Sequence, residues 1–240
     1  MYNSIRSGIS ELHSEDRIAV LTIDNGKKNL LTEPEFIDRE ELLVWLENNP
    51  QTEALVITGN GRHFSHGADV SRFSSNTAGL SQKLERAREL LRTIEELPVI
   101  TAAAINGGCF GGGLEIALSC HFRICSSSAF LGLTEIMHGV IPGMGGMERL
   151  LKLIGKEKAL RLILDGEILS AKDALNAGII TAVSDEKDAL PETMQFVSEL
   201  IKDKSRTQIS AVLETFCRAE KGVKDPSAGM FERTLAEINR

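Results

Sequence analysis

The amino-acid sequence predicts an α/β protein with a helical C-terminal region. Short apolar runs, typical of buried strands, alternate with helical patterns through the first two thirds of the 240 residues. From about residue 190 onward the pattern is helical. Hydrophobic residues make up 42% of the chain and charged residues 25%, a balance typical of an ordinary globular protein and not of a disordered one.

The first predicted elements are two strands with a helix between them. Residues 17–24 are rich in β-forming side chains, which predicts a strand. Thr32 can cap a helix over residues 33–48, because Pro34 is tolerated in a first helical turn. The apolar run 53–58 predicts a second, buried strand.

Two loops and a charged helix come next. The predicted loop 59–67 contains three glycines, and the polar, serine-rich residues 71–81 predict a mobile segment. Residues 82–97 predict a helix that Pro98 stops. The run 99–105 is the most apolar of the predicted strands.

A second glycine-rich stretch, residues 106–113, lies directly after that strand. It leads into a short predicted helix over 114–118 and another strand over 121–124. From about residue 150 the pattern is helical, with one apolar interruption at 179–183.

Charge and composition exclude several classes of protein. The formal net charge of −7 disfavours broad binding to nucleic acid, which needs a dense basic surface. The four cysteines show no Cys-x-x-Cys spacing, so neither a zinc site nor a thioredoxin-like motif is predicted. We find no signal-peptide pattern and no apolar run of membrane-spanning length, and expect a cytoplasmic protein with reduced thiols.

The run Gly111–Gly113 lies between a buried strand and a helix. Its backbone can approach a ligand closely, and the helix start offers unpaired N–H groups with partial positive charge, which predicts an anion or oxyanion site. A phosphate-binding P-loop requires a lysine directly after its glycine-rich run, and no lysine follows this one. The nearest approach to a dinucleotide fingerprint begins at Gly143 and ends in Glu148 instead of glycine.

Two acidic residues, Glu115 and Glu135, stand in apolar surroundings. Each could simply complement the dipole of a short helix. A carboxyl group among apolar side chains also tends to have a raised pKa, which suits proton transfer. Two such groups in one pocket could hold a water molecule and divide the acid and base work.

Several motifs together resemble the crotonase (enoyl-CoA hydratase/isomerase) superfamily. The resemblance covers roughly residues 16–185, and the motifs follow in order at family-like spacing. They are Phe64-Ser-His-Gly-Ala-Asp69, Asn106-Gly-Gly-Cys-Phe-Gly-Gly-Gly-Leu-Glu115, Phe130-Leu-Gly-Leu-Thr-Glu135, Gly139-Val-Ile-Pro-Gly-Met-Gly-Gly146, Gly155-Lys-Glu-Lys-Ala-Leu160 and Gly166-Glu-Ile-Leu-Ser-Ala-Lys-Asp-Ala-Leu-Asn-Ala-Gly178.

The resemblance implies a crotonase-like spiral of repeated ββα units over residues 1–185. It also implies a shortened helical C-terminal region over residues 186–240 that serves assembly into a homotrimer or hexamer. The implied substrates are acyl-CoA thioesters, with no metal and no redox cofactor. An acyl group on a carrier protein is a second possible substrate, and neither nucleic acid nor a membrane is an expected partner.

By motif position, the resemblance assigns the oxyanion hole to the backbone N–H groups of Ala68 and Gly112. Hydratases of the family use two glutamates, and Glu115 and Glu135 match both. We therefore hypothesise hydration of a trans-2-enoyl-CoA, with water held between the two glutamates and an enolate stabilised by the backbone donors. Which glutamate acts as base is left open.

The loop from His63 to Asp69 resembles the stretch whose backbone receives the adenine of CoA. The substrate-binding residues implied here are His66, Gly67, Asp69 and Gly111. His66 stands where the family has a small residue, and it could touch the pantetheine or only cap the loop. Asp69 is expected to fix the loop by accepting local N–H groups. His63 and His66 lack a suitably spaced third ligand for a metal.

Two departures from the family pattern are His121, in place of the usual aspartate, and Met147, in place of a small polar residue. The chain also stops before an aromatic and basic segment that family members usually carry, which we expect to leave the site more open. The rival reactions are double-bond isomerisation and decarboxylation through the same enolate. A rival of another class is a catalytically idle scaffold or binding protein.

Overall fold

The protein is described from a computed structural model, which defines residues 4–69 and 79–238. The segment predicted to be mobile, residues 71–81, lies outside the described residues apart from its last three positions. Within the described ranges, no helix combines the length and the apolar character needed to cross a membrane.

The strands form a large sheet and a small one. In the described residues, seven strands make the large sheet in the order β1-β2-β3-β4-β5-β7-β10, and β6-β8-β9 make the small one. The strands are β1 (Ser4–Ser7), β2 (Ser10–Glu15), β3 (Ile18–Ile23), β4 (Ala54–Gly59), β5 (Ile100–Ile105), β6 (Gly108–Phe110), β7 (Phe122–Ser126), β8 (Phe130–Gly132), β9 (Leu169–Ser170) and β10 (Ala182–Ser184).

Helices fill most of the intervals between the strands and dominate the C-terminal part. The α-helices are α1 (Arg39–Asn48), α2 (Leu80–Glu96), α3 (Gly112–Leu118), α4 (Gly146–Ile154), α5 (Lys156–Asp165), α6 (Ala171–Ala177), α7 (Leu190–Ile201), α8 (Arg206–Glu220) and α9 (Met230–Ile238). A short 3-10 helix spans Glu135–His138.

The large sheet is antiparallel at one edge and parallel in its centre. The pairs β1–β2 and β2–β3 are antiparallel, whereas β3–β4, β4–β5, β5–β7 and β7–β10 are parallel. Since the carboxyl ends of parallel strands meet at one edge, the loops that follow β4 and β5 lie side by side. These are the two glycine-rich loops of the sequence.

Alternating side chains of the central strands supply two hydrophobic cores, one on each face of the sheet. On β4, Leu55 and Ile57 join the core that contains the apolar faces of α1, α2 and α3. Ala54 and Val56 face the other way and join Val197 of α7 in the second core. All four β4 side chains are fully buried, which explains why this strand reads as a continuous apolar run.

The predicted central strands are confirmed, but the start of the first helix is wrong. Helix α1 begins at Arg39 and not near residue 33, and its cap is Asp38, whose carboxylate accepts the N–H of Glu41 at 3.0 Å. The residues before it stay non-helical because Phe36 and Ile37 are buried in the core. Tertiary burial therefore overrides the capping pattern at Thr32 and Pro34.

Strands β1 and β2 were not predicted. Both are polar segments at the antiparallel edge, with sequences Ser-Ile-Arg-Ser and Ser-Glu-Leu-His-Ser-Glu. The division of the chain at residues 1–185 and 186–240 remains a prediction.

Candidate active site

The two glycine-rich loops are joined by backbone hydrogen bonds. Phe64 N donates to Asn106 O at 2.8 Å, and Phe110 N donates to Ser65 O at 2.9 Å. Gly67 has a φ of +77°, and a Cβ added there would lie 2.6 Å from Phe110 O, so only glycine fits this close approach. Leu31 N also donates to Gly67 O at 2.9 Å, which ties a third segment to the site.

The N–H groups of Ala68 and Gly112 form the centre of the site. A Cβ built on Gly112 would lie 3.9 Å from Ala68 N, and one built on Gly67 would lie 3.0 Å from Gly112 N. Within residues 4–69 and 79–238, neither N–H donates a hydrogen bond to another group of the chain. Two adjacent donors are therefore available to one ligand oxygen.

Apolar side chains border these donors. The position of a Gly112 Cβ lies 2.9 Å from Leu31 Cδ1 and 3.0 Å from Met144 Cε. Both side chains are buried, and a low-dielectric wall strengthens the interaction of the donors with a developing negative charge.

Glu115 lies in the first turn of α3 and is 2% exposed. Its Oε1 accepts the backbone N–H groups of Met144 and Gly146, each at 2.8 Å. Burial raises the pKa of Glu115, and these two hydrogen bonds act in the opposite direction. A Cβ on Gly146 would lie 2.8 Å from Glu115 Cγ, so this glycine is required for the contact.

Glu135 begins the 3-10 helix and is only partly buried. A Cβ on Gly111 would lie 3.1 Å from Glu135 Oε1, which places this carboxyl beside the start of α3. Its Oε2 is buried and has no hydrogen-bond partner in the described protein. Burial raises the pKa of Glu135 to about 7, and the nearby charge of Glu115 adds to the rise.

The site therefore combines two free N–H donors with two carboxyl groups whose surroundings differ. Such a set can stabilise an oxyanion while one carboxylate removes a proton and one carboxylic acid delivers a proton.

Comparison with known proteins shows the family of the chain. The model of the enoyl-CoA hydratase/isomerase family matches residues 13–237. The chain belongs to the enoyl-CoA hydratase/isomerase family. It is an enzyme of this family and has the crotonase fold.

Individual relatives agree with the family model. The chain is 36% identical over 199 residues to a probable enoyl-CoA hydratase of Bacillus subtilis (strain 168), covering 82% of this chain and 77% of that protein. It is 38% identical over 176 residues to the alpha subunit of the fatty acid oxidation complex of Idiomarina loihiensis, covering 70% of this chain and 25% of that protein.

A solved structure shares the fold. An enoyl-CoA hydratase from Geobacillus kaustophilus HTA426 superposes with a TM-score of 0.86, covering 95% of this chain and 89% of that one. The two sequences are 23% identical, so this likeness shows the fold alone.

The remaining predicted site residues of this family member lie on the same loops. Gly111 has a φ of +51° and faces Glu135, while Asp69 N donates to Leu31 O at 3.1 Å. His66 packs edge-on against His63 and Phe110, with ring centroids 4.5 and 5.2 Å away. Burial lowers the pKa of His66, and its Nε2 has no partner in the described protein.

His63 has a role that the sequence did not reveal. Its Nδ1 accepts the N–H of Gly108 at 2.9 Å, which holds the start of β6 against the neighbouring loop. Burial lowers the pKa of His63, with Arg62 and Lys28 adding to the effect, which favours the neutral ring that this acceptor requires. Among the described residues, no cluster of three or more possible ligands could hold a metal ion.

His121, one of the departures from the family pattern, lies away from the glutamates. Its Nδ1 accepts the N–H of Thr101 at 2.9 Å, at the amino end of β5, whereas the site lies at the carboxyl end. His121 therefore joins the start of β5 to the start of β7.

The sequence also missed how Glu115 is held. The stretch Gly143–Gly146 was considered as an incomplete dinucleotide fingerprint and as part of a family motif, whereas it supplies both N–H donors to Glu115. A pair of glycines 31 residues after an acidic residue carries no local signal of this contact.

Proposed function

We propose that the protein hydrates a trans-2-enoyl thioester, with an acyl-CoA as the substrate. The observation that carries the proposal is the placement of two carboxyl groups, in unlike surroundings, beside two adjacent and unpaired backbone N–H donors. The similarity to the protein of Bacillus subtilis described as a probable enoyl-CoA hydratase supports the same reaction.

In the proposed reaction, the thioester oxygen accepts the N–H groups of Ala68 and Gly112. Water adds through its oxygen to the β-carbon, and its proton passes to Glu115. The double-bond electrons move toward the thioester to form an enolate, and Glu135 delivers its proton to the α-carbon. A proton then returns from Glu115 to Glu135 through solvent, so that one water molecule has been added and both groups are regenerated.

The surroundings of the two glutamates favour this division of roles. Two backbone donors stabilise negative charge on Glu115, as a base requires. The pKa of Glu135, raised to about 7, keeps a large fraction of this group protonated near neutral pH, as an acid requires.

We further propose that His66, Gly67, Asp69 and Gly111 line the path of the CoA chain, and that the protein works in the cytoplasm. Neither a metal nor a redox cofactor is needed for the proposed reaction. Large apolar side chains exposed on the C-terminal helices, such as Phe216 and Phe231, support assembly into a homotrimer or hexamer.

The test is conversion of crotonyl-CoA in ¹⁸O-labelled water, followed by mass spectrometry. We expect one labelled oxygen in the wild-type product and a loss of at least ~10²-fold in kcat for both Glu115→Gln and Glu135→Gln. Absence of hydration across a panel of enoyl-CoA thioesters would falsify the proposed reaction, and full activity of either variant would remove that glutamate from it.

Double-bond isomerisation is the second candidate. It needs one carboxyl group that moves a proton between two carbons, and the unpartnered Oε2 of Glu135 suits that role. The same assay separates the two reactions, because an isomerised product carries no additional oxygen.

A further inference from the structure

Arg149, on α4, connects to Glu115 through the loop that holds it. Its Nη1 donates to Met144 O at 2.9 Å, while the N–H of Met144 donates to Glu115 Oε1 at 2.8 Å. Its Nη2 donates to Glu95 Oε2 at 2.9 Å, at the end of α2. The Arg149 side chain is 11% exposed and that of Glu95 is 33% exposed, so the guanidinium is largely buried while its ion pair with Glu95 is partly open to water.

The loop Gly143–Gly146 has little room to adjust around this arginine. Gly145 has a φ of +94°, and a Cβ there would lie 2.6 Å from Arg149 Nη1. Arg88, on α2, donates through Nε to Gly143 O at 2.9 Å. Two arginines therefore bind consecutive carbonyl groups of the loop, and the intervening N–H of Met144 is aimed at Glu115.

We propose that Arg149, anchored by Glu95, is a positioning residue that aims the loop Gly143–Gly146 at Glu115 and keeps the Glu115 carboxylate ionised. The inference rests on the proposed function of Glu115 as a base. It assigns to α2 and α4, which lie outside the oxyanion loops, control over the charge of a group on α3.

Electrostatics supports the geometric argument. The guanidinium charge of Arg149 lowers the pKa of Glu115, against the rise caused by burial. The other charged or titratable groups around this cluster are Glu135 of the 3-10 helix, Arg88 and Glu95 of α2, and Cys120, which follows the end of α3. Arg88 also carries positive charge and binds the loop, at Gly143 O, whereas the positive charge that lowers the pKa of Glu115 is that of Arg149.

The variants are Arg149→Met, Arg149→Lys and, as the matched control, Lys152→Met. Lys152 lies on the same helix and forms an exposed ion pair with Glu220 at 3.0 Å. We expect Arg149→Met to lower kcat about tenfold or more, with KM changed less than about threefold. Ionised Glu115 is the active form in the proposed reaction. A higher pKa of Glu115 in Arg149→Met therefore moves the acidic limb of the pH–rate profile to higher pH.

Arg149→Lys separates charge from position. It keeps the positive charge but cannot donate to Met144 O and Glu95 with the same planar geometry. We expect its acidic limb to stay close to the wild-type position while kcat falls. Lys152→Met should match the wild type in both respects. A loss of kcat in Arg149→Met with no displacement of the limb would reduce Arg149 to a purely structural role.

A direct titration keeps this inference separate from the proposed reaction. The carboxyl carbon of Glu115 is followed by ¹³C NMR against pH in folded wild type, Arg149→Met and Arg149→Lys, and is assigned with Glu115→Gln. We expect the pKa of Glu115 to rise by about half a unit or more in Arg149→Met only. An unchanged value in Arg149→Met would overturn the inference even if hydration is observed, and the expected rise would support it even if hydration is not.

Discussion

The two glutamates of the site are held in opposite ways. Glu115 is almost completely buried and accepts two backbone N–H groups from a loop in which a Cβ on Gly146 would collide with the glutamate itself. Glu135 begins a four-residue 3-10 helix, and one of its buried oxygens has no partner in the described protein. The first carboxyl is fixed by many contacts, while the second is left available for a proton.

The regions around the two glutamates also differ in how deeply they are buried. Behind Glu115 lie α3, α4 and the end of α2, joined by an ion pair between Arg149 and Glu95. After Glu135 come the exposed side chains of Met137, Val140 and Ile141. The Glu115 carboxyl is therefore enclosed by packed helices, whereas the Glu135 carboxyl lies beside an exposed apolar surface.

The largest expected effect comes from displacing Glu115, the more tightly held of the two carboxyl groups. Gly146→Ala would place a Cβ 2.8 Å from Glu115 Cγ, so either the glutamate or the loop must move. We expect kcat for hydration to fall by about 10²-fold, since a displacement of about 1 Å at a reacting group has this scale of effect.

The control for this prediction is Gly139→Ala, in the region of Glu135. Gly139 has a φ of +73°, and a Cβ there meets no atom within 4 Å. This variant has backbone strain without a collision, and we expect it to retain most of the activity. Equal losses in the two variants would mean that steric contact with Glu115 is not the cause.

The raised pKa of Glu135 predicts how the stability of the folded protein depends on pH. The pKa of Glu135 is raised to about 7 in the folded protein from a reference value of 4.5. Between these values the folded state binds more protons than the unfolded state, so stability is present below pH 4.5 and is lost as pH rises toward 7. Allowing for partial exposure, we expect about 1–2 kcal/mol of this loss between pH 5 and 8 to disappear in Glu135→Gln.

Urea denaturation of the wild type and Glu135→Gln at both pH values measures this difference. Glu148→Gln, on the exposed face of α4, controls for the loss of one negative charge. If the wild type and Glu135→Gln lose the same stability over this range, then Glu135 ionises as readily in the folded protein as in the unfolded chain.

The sequence predicts the elements of the fold that depend on local patterns of residues. The central strands β3, β4 and β5 are continuous apolar runs because both of their faces are buried, and all three were predicted. The start of α1 was not, because burial of Phe36 and Ile37 is a property of the whole fold. Polar edge strands such as β2 lack any apolar run to identify them.

In the site, too, local features can be predicted from the sequence, whereas contacts between distant residues cannot. The glycine run before α3 and the apolar settings of Glu115 and Glu135 are visible in the sequence. The donors to Glu115 lie 29 and 31 residues further along the chain, and Glu95 lies 54 residues before its partner Arg149. Such contacts between distant residues follow from the packing of helices, which no local pattern specifies.

The smallest expected effect is the coupling between the two carboxyl groups. The charge of Glu115 raises the pKa of Glu135, although burial is the larger cause. Glu115→Gln should therefore lower the pKa of Glu135, by about one unit or less, and leave it above its reference value. ¹³C NMR titration of the Glu135 carboxyl carbon measures the change, with Glu148→Gln expected to leave the pKa of Glu135 unaltered. A pKa of Glu135 that returns to its reference value in Glu115→Gln would show that charge repulsion, and not burial, makes this residue an acid.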